Sequence, residues 1–132
     1  MSEAVHERLL DEHRVTLQRA LDCADAIAAG WDGESTDDRE AVAGAYETVL
    51  REAGLLESLL GALVEAMDLA GYQVVAQPVP DVPYVAVTAE GVILRGSTPD
   101  GRVVVTLQAF ERGPYRRGPA LPDALVVERR RS

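Results

Sequence analysis

The stretch from about Asp37 to Ala70 constrains the fold more than any other. Its apolar residues fall at Val42, Tyr46, Val49, Ala53, Leu56, Leu60, Leu63, Met67 and Ala70, in steps that alternate four and three. That spacing sets them on one face of a helix. Leu50, Leu59 and Val64 widen the stripe beyond the seam of a two-stranded coiled coil, so the helix should lie on a packed core. Glu47, Arg51, Glu57, Ser58, Glu65 and Asp68 take the opposite side and should face water. Gly44, Gly54 and Gly61 also fall on the outer side. Each costs about 1 kcal/mol against alanine in a helix, so either a partner's backbone approaches there or the helix divides near Ala53–Gly54. The apolar phase runs unbroken across Gly54, and the expectation is therefore one helix.

Upstream, Leu10, Leu17, Ala20, Ala24 and Ile27 share a face, with Val5, Leu9 and Leu21 beside it, which predicts a first helix over residues 3–29 stopped by Gly30. The polar segment from Trp31 to Asp38 is a loop, and Asp37 with Glu40 resembles a capping box for the next helix. A short loop makes the two helices antiparallel, with Trp31 plugging the corner.

After Gly71 the period changes from 3.6 to 2. Tyr72–Gln77, Tyr84–Ala89, Val92–Gly96, Arg102–Phe110 and Ala124–Arg129 are the candidate strands. Pro78, Pro80 and Pro83 mark a connector that cannot lie inside a sheet. Glu90–Gly91 is a tight hairpin turn, and Ser97–Gly101 a second turn with Gly101 suited to a left-handed conformation. Along the fourth segment Val103, Val105, Leu107 and Ala109 should face the helices, while Arg102, Val104, Thr106, Gln108 and Phe110 face away. Residues 111–122, rich in arginine, glycine and proline, are an exposed loop. The fold class is α+β: an N-terminal antiparallel helical hairpin (3–70) packed in two layers on a C-terminal antiparallel meander of four or five strands (71–132), in a single domain spanning 1–132.

Composition narrows the function more than any motif does. All 13 basic residues are arginine, asparagine is absent, isoleucine occurs only at Ile27 and Ile93, and 22 acids leave a net charge of −9. A GC-rich genome explains the missing codons, and a salt-loaded cytoplasm screens the self-repulsion of so acidic a surface. Together these point to a halophilic archaeon, with a GC-rich actinobacterium as the alternative source. Residues 1–70 carry 16 acids and 5 arginines, net −11; residues 71–132 carry 6 acids and 8 arginines, net +2. No apolar run approaches the roughly 18 residues of a membrane helix, and the acidic start lacks the pattern of a secretion signal. The expectation is a cytoplasmic protein with no membrane association.

Taken together, WDGESTDDREAV, AGYQVVAQPVPDVPYVAVTAEGVILRGSTPDGRVVVTLQAFER and YRRGPA resemble small haloarchaeal proteins grouped as a domain of unknown function, over most of the chain. The resemblance implies the halophilic habitat and supplies no site residues.

The chemistry-bearing residues are few. His6 and His13 stand seven apart with Glu3, Glu7 and Glu12 nearby, but no paired metal-ligand spacing such as HExxH exists, so surface histidines are the simpler account. From Asp32, the sixth and twelfth places of a calcium loop would be Asp37 and Ala43 rather than glycine and glutamate, so Asp32, Glu34, Asp37 and Asp38 form an acidic loop. A P-loop lacks its lysine, serine nucleophiles lack their GxSxG elbow, and Cys23 beside Asp22 and Asp25 should be an inert thiol. No catalytic, cofactor or metal residue is assigned.

The candidate interaction surface is Arg112, Tyr115, Arg116, Arg117, Arg129 and Arg130, continued by Arg131. Arginine grips phosphate or carboxylate in a fork and tyrosine stacks on a base, so nucleic acid is one reading of these residues. An acidic chain and a salty cytoplasm both oppose it. Docking of the arginine loop on an acidic surface, its own helical half or a partner's, is the other. The preferred function is a non-enzymatic protein–protein interaction module, either a homo-oligomer (a dimer) or the subunit of another protein. An enzyme or small-ligand binder would instead place a pocket between helices and sheet, near Trp31, Tyr46, Tyr72 and Tyr84.

Overall fold

The computed structural model describes residues 2–33, 35–112 and 114–131. Four helices precede the sheet: α1 (Ser2–Glu12), α2 (Arg14–Ala29), α3 (Arg39–Glu52) and α4 (Leu55–Leu69). Six strands follow, β1 (Val85–Val87), β2 (Gly91–Thr98), β3 (Gly101–Gln108), β4 (Phe110–Glu111), β5 (Arg116–Arg117) and β6 (Leu125–Arg131). The α+β class stands, with helices packed on one face of a four-stranded antiparallel sheet of order β1-β2-β3-β6.

Both arms of the expected hairpin are bent. The long helix divides where Gly54 adopts a left-handed backbone, φ +70°, just after α3 closes on Ala53. Glycine reaches that conformation without the penalty a Cβ would carry. The apolar stripe crosses the break in phase, which is why periodicity alone shows one helix. On α3 only Val42, Tyr46 and Leu50 are buried, whereas α4 buries Leu55, Leu56, Leu59, Leu60, Ala62, Leu63, Ala66 and Met67. The difference follows from position: α4 packs against all three other helices and against β2. The first arm bends at His13, whose φ of −127° and ψ of 19° interrupt helical geometry, while its imidazole reaches Glu65 on α4 at 3.0 Å. Asp38, not Asp37, caps α3, accepting from the Ala41 N–H at 3.1 Å, so the third helical position is an alanine and there is no capping box.

In the sheet, β1 to β3 form a meander through Val87↔Val92 and Thr98↔Gly101, and β6 returns to pair with β3 through Leu107↔Leu125. The expected strand at Tyr72–Gln77 is not one. Tyr72 N–H instead closes α4 on the Met67 carbonyl, and Val75 N–H makes a single bond to Ser97 on β2 at 3.1 Å. The chain then runs back along α4 through the prolines, which supply no donors for a ladder. Gly101 takes a positive φ, +158°, that side chains rarely adopt, and a Cβ there would strike the Arg130 carbonyl on β6. Val103, Val105, Leu107 and Ala109 are buried against the helices as expected.

Phe110 departs from the alternation. It is fully buried because Ala109 and Phe110 both donate their N–H to the Glu90 carbonyl, at 2.8 and 2.9 Å. Two residues then oppose one, a β-bulge, and the extra residue turns the next side chain inward. The Phe110 ring meets Tyr46 edge-on at 5.3 Å and Trp31 at 5.7 Å. Trp31 therefore does close the corner between α2 and α3, against a residue expected on the far side. The segment 111–122 is likewise not simply exposed. Phe110–Glu111 pairs with Arg116–Arg117, and Tyr115 is buried where it exchanges backbone hydrogen bonds with Thr36 at 2.9 and 2.8 Å.

Candidate interaction surface

The arginines singled out in the sequence fall at two ends of the sheet, separated by the length of β3, roughly 23 Å at about 3.3 Å per residue. At the end near Trp31, Arg112 pairs with Glu90 at 3.0 Å. Arg117 pairs with Asp25 of α2 at 2.6 Å and also donates to the Ala109 carbonyl. Tyr115 is buried in the bridge to Thr36, and Arg116 is exposed and meets no carboxylate among the described residues. The arginine segment thus docks, through Arg117, on the chain's own acidic helical half. Gly113, within this segment, and Glu34, of the acidic loop, lie outside the described residues.

At the opposite end, Arg129 pairs with Asp100 at 2.7 Å and stands 5.7 Å over the Tyr72 ring. The Arg129 guanidinium holds the Asp100 carboxyl below the usual aspartate range. Arg130 lies beside Glu128 at 3.6 Å. A positive cluster that sequence position alone did not reveal forms here. Arg102 stands directly opposite Arg130 in the β3–β6 register, and Arg95 lies on the same outer face two residues from Ser97, which faces Arg102. Only the register discloses it, because Arg102 is remote in sequence from the C-terminal run.

Among the described residues no helix packs on the outer sheet face. Ile93 and Val126 lie across its middle, Val126 being 41% exposed, while Val104 beside them is buried.

A wide groove lies elsewhere, between the outer flank of α4 and the connector that runs back beside it. This groove has a volume of about 700 Å³, with Leu60, Gly61, Val64 and Val74 in its lining and Glu57, Glu65 and Asp68 as its only charged residues. Gly61 has open space where a Cβ would stand. Val75 and Val79 on the connector are each half exposed, and Val82 more so.

The pocket expected among Trp31, Tyr46, Tyr72 and Tyr84 does not form around Tyr46. That side chain is fully buried, its hydroxyl donates to the Ala20 carbonyl at 2.8 Å, and Phe110 packs on its ring. Burial pushes the Tyr46 phenol above the usual tyrosine range. The two histidines do not converge: His6 Nε2 meets the Leu125 carbonyl and His13 Nε2 meets Glu65, each at 3.0 Å. Burial also raises the Cys23 thiol, with Asp22 adding to the shift and Arg19 opposing it, which disfavours the thiolate a nucleophile would need.

The family model described as Domain of unknown function (DUF7988) matches residues 3–129, taking in both the helical layer and the sheet. The chain belongs to that family. No curated protein and no solved structure matches it. The DUF7988 match covers both arginine clusters up to Arg129 and the whole α4 groove, so each surface described above is part of the family domain. Among the described residues no helix is long and apolar enough to cross a membrane.

Proposed function

We propose that this DUF7988 protein is a non-enzymatic protein–protein interaction module of a halophilic cytoplasm, and that its recognition surface is the groove beside α4. The observation that carries the reading is the groove's composition: apolar residues and a bare glycine backbone, bordered by three carboxylates. A glycine in a helix costs stability, so Gly61 is best accounted for by an occupant that needs the space. The missing lysine and the charge of −9 support the salt-rich setting, because concentrated salt shortens the range over which like charges repel. The occupant implied is apolar with positive charge, complementary to the three acids.

The test compares two substitutions that the fold accommodates equally. Gly44 on α3 and Gly61 on α4 both have open space at the Cβ position. Tagged wild-type protein, Gly61→Gln and Gly44→Gln are used in parallel to capture partners, including an untagged copy of the chain itself, in molar KCl. Loss of a stoichiometric partner with Gly61→Gln but not with Gly44→Gln supports the reading. Capture of nothing, or of a partner that both variants retain, overturns it.

A further inference from the structure

The groove is acidic and the outer face of the sheet carries a basic end, and both belong to one chain. We propose that the groove's occupant is the outer sheet face of a second copy of this chain, with Arg102 and Arg130 of one copy meeting the Asp68 end of the acidic groove in the other. The inference rests on the interaction reading above and names the partner it leaves open.

Three observations lead to a second copy rather than to an unrelated protein. First, the charges match in sign and setting. No basic residue lines the groove. On the outer sheet face Arg102 and Arg130 stand directly opposite each other, with Arg95 nearby and Glu128 as the one carboxylate among them. Like charges directly opposite across two strands destabilise a sheet. In a chain with a net charge of −9 this concentration is the exception, and an acidic counterpart offsets its cost.

Second, each charged region adjoins apolar surface. Leu60, Val64 and Val74 line the groove, while half-buried Ile93 on β2 and exposed Val126 on β6 lie beyond the arginines on the outer face. In molar salt the attraction between exposed charges is largely screened, so the apolar contact supplies the affinity and the arginines set the register.

Third, the two surfaces share one end of the molecule. Asp68 and Gln73 lie where α4 gives way to the connector, and Val75 there bonds to Ser97, the residue opposite Arg102. Neighbouring complementary patches allow a twofold axis to pass between them. Both contacts then form at once and the assembly closes as a dimer instead of growing as a chain.

The experiment is sedimentation of the full chain across concentration, in moderate and in molar KCl. The expected wild-type mass at high concentration is twice 14.2 kDa. The double variant Arg102→Glu with Arg130→Glu, and separately Asp68→Arg, should each raise the dissociation constant about tenfold or more in moderate salt. Mixed together, the two variants should recover association, since each supplies the charge the other lacks. Glu65 is left in place because it holds His13. The milder pair Arg102→Gln with Arg130→Gln, checked by circular dichroism, should also weaken the dimer and keeps the test valid if the carboxylates disturb β6. A wild-type monomer at every concentration, swaps that leave the dimer unchanged, or a mixture that fails to associate would each overturn the inference. If the wild type is monomeric but Gly61→Gln still releases a different, basic protein in the capture experiment, the groove reading survives and only its assigned occupant is lost.

Discussion

At Gly54 the backbone sits at φ +70°, a region where a Cβ costs roughly 1–2 kcal/mol, whereas Gly44 lies inside α3 with open space around it. The same substitution should therefore act in opposite directions. Gly54→Ala is expected to destabilise by about 1 kcal/mol or more, and Gly44→Ala to stabilise by about 0.5–1 kcal/mol, as read from urea unfolding midpoints. Phe110 presents a larger effect, since its ring is fully enclosed by Tyr46, Trp31 and the sheet. Phe110→Ala should cost about 3–5 kcal/mol through lost burial and the cavity left behind. Asp100 carries a pH dependence. Its folded carboxyl is held below the usual aspartate range by Arg129, so its contribution is present above that range and fades as the pH falls through it. The melting temperature of Asp100→Asn should lie below that of the wild type near neutrality, and the two should converge in acid. A constant gap down to low pH would show that the ion pair is not the cause.

Among the elements, α4 and the connector beside it are the extremes. Eight side chains of α4 are buried, while residues 73–77 make one backbone hydrogen bond to the sheet, from Val75 to Ser97. In hydrogen exchange the amides of α4 and β3 should persist longest and those of residues 73–77 should exchange early; protection of Val75 equal to that of Val105 would refute this. The same contrast marks what could be seen in the sequence. The stripe on α4, the inward set Val103, Val105, Leu107 and Ala109, and the turn at Pro99–Asp100 were legible because each is a local pattern of period or turn chemistry. The bend at Gly54 is hidden because phase is blind to a break that preserves it. The burial of Phe110 was hidden because a bulge depends on a carbonyl, that of Glu90, twenty positions earlier in the chain. The groove could not be read either, since it requires knowing that the prolines carry the connector back along α4 rather than away from it. Of the arginines, composition identified the run at Arg129 and Arg130, but only strand register adds Arg102 to them.

For the molecule as a whole, charge dominates. With a net charge of −9 and an acidic helical layer, self-repulsion opposes compaction, and screening it should stabilise the fold. The midpoint of thermal unfolding is expected to rise as KCl is raised from dilute to molar concentration; a flat or falling dependence would count against the halophilic setting. The contact between α1 and β6 has a consequence in time. His6 holds the Leu125 carbonyl across 119 positions of chain. During synthesis at about 5–20 residues per second, the first helix leaves the ribosome many seconds before that partner exists. α4 emerges midway and can shelter part of α1 early, but the surface meant for the last strand must wait. A ribosome stalled while the codons of β6 are being read would therefore hold a nascent chain whose α1 is still unclasped, and chaperones that patrol the exit tunnel should find it there.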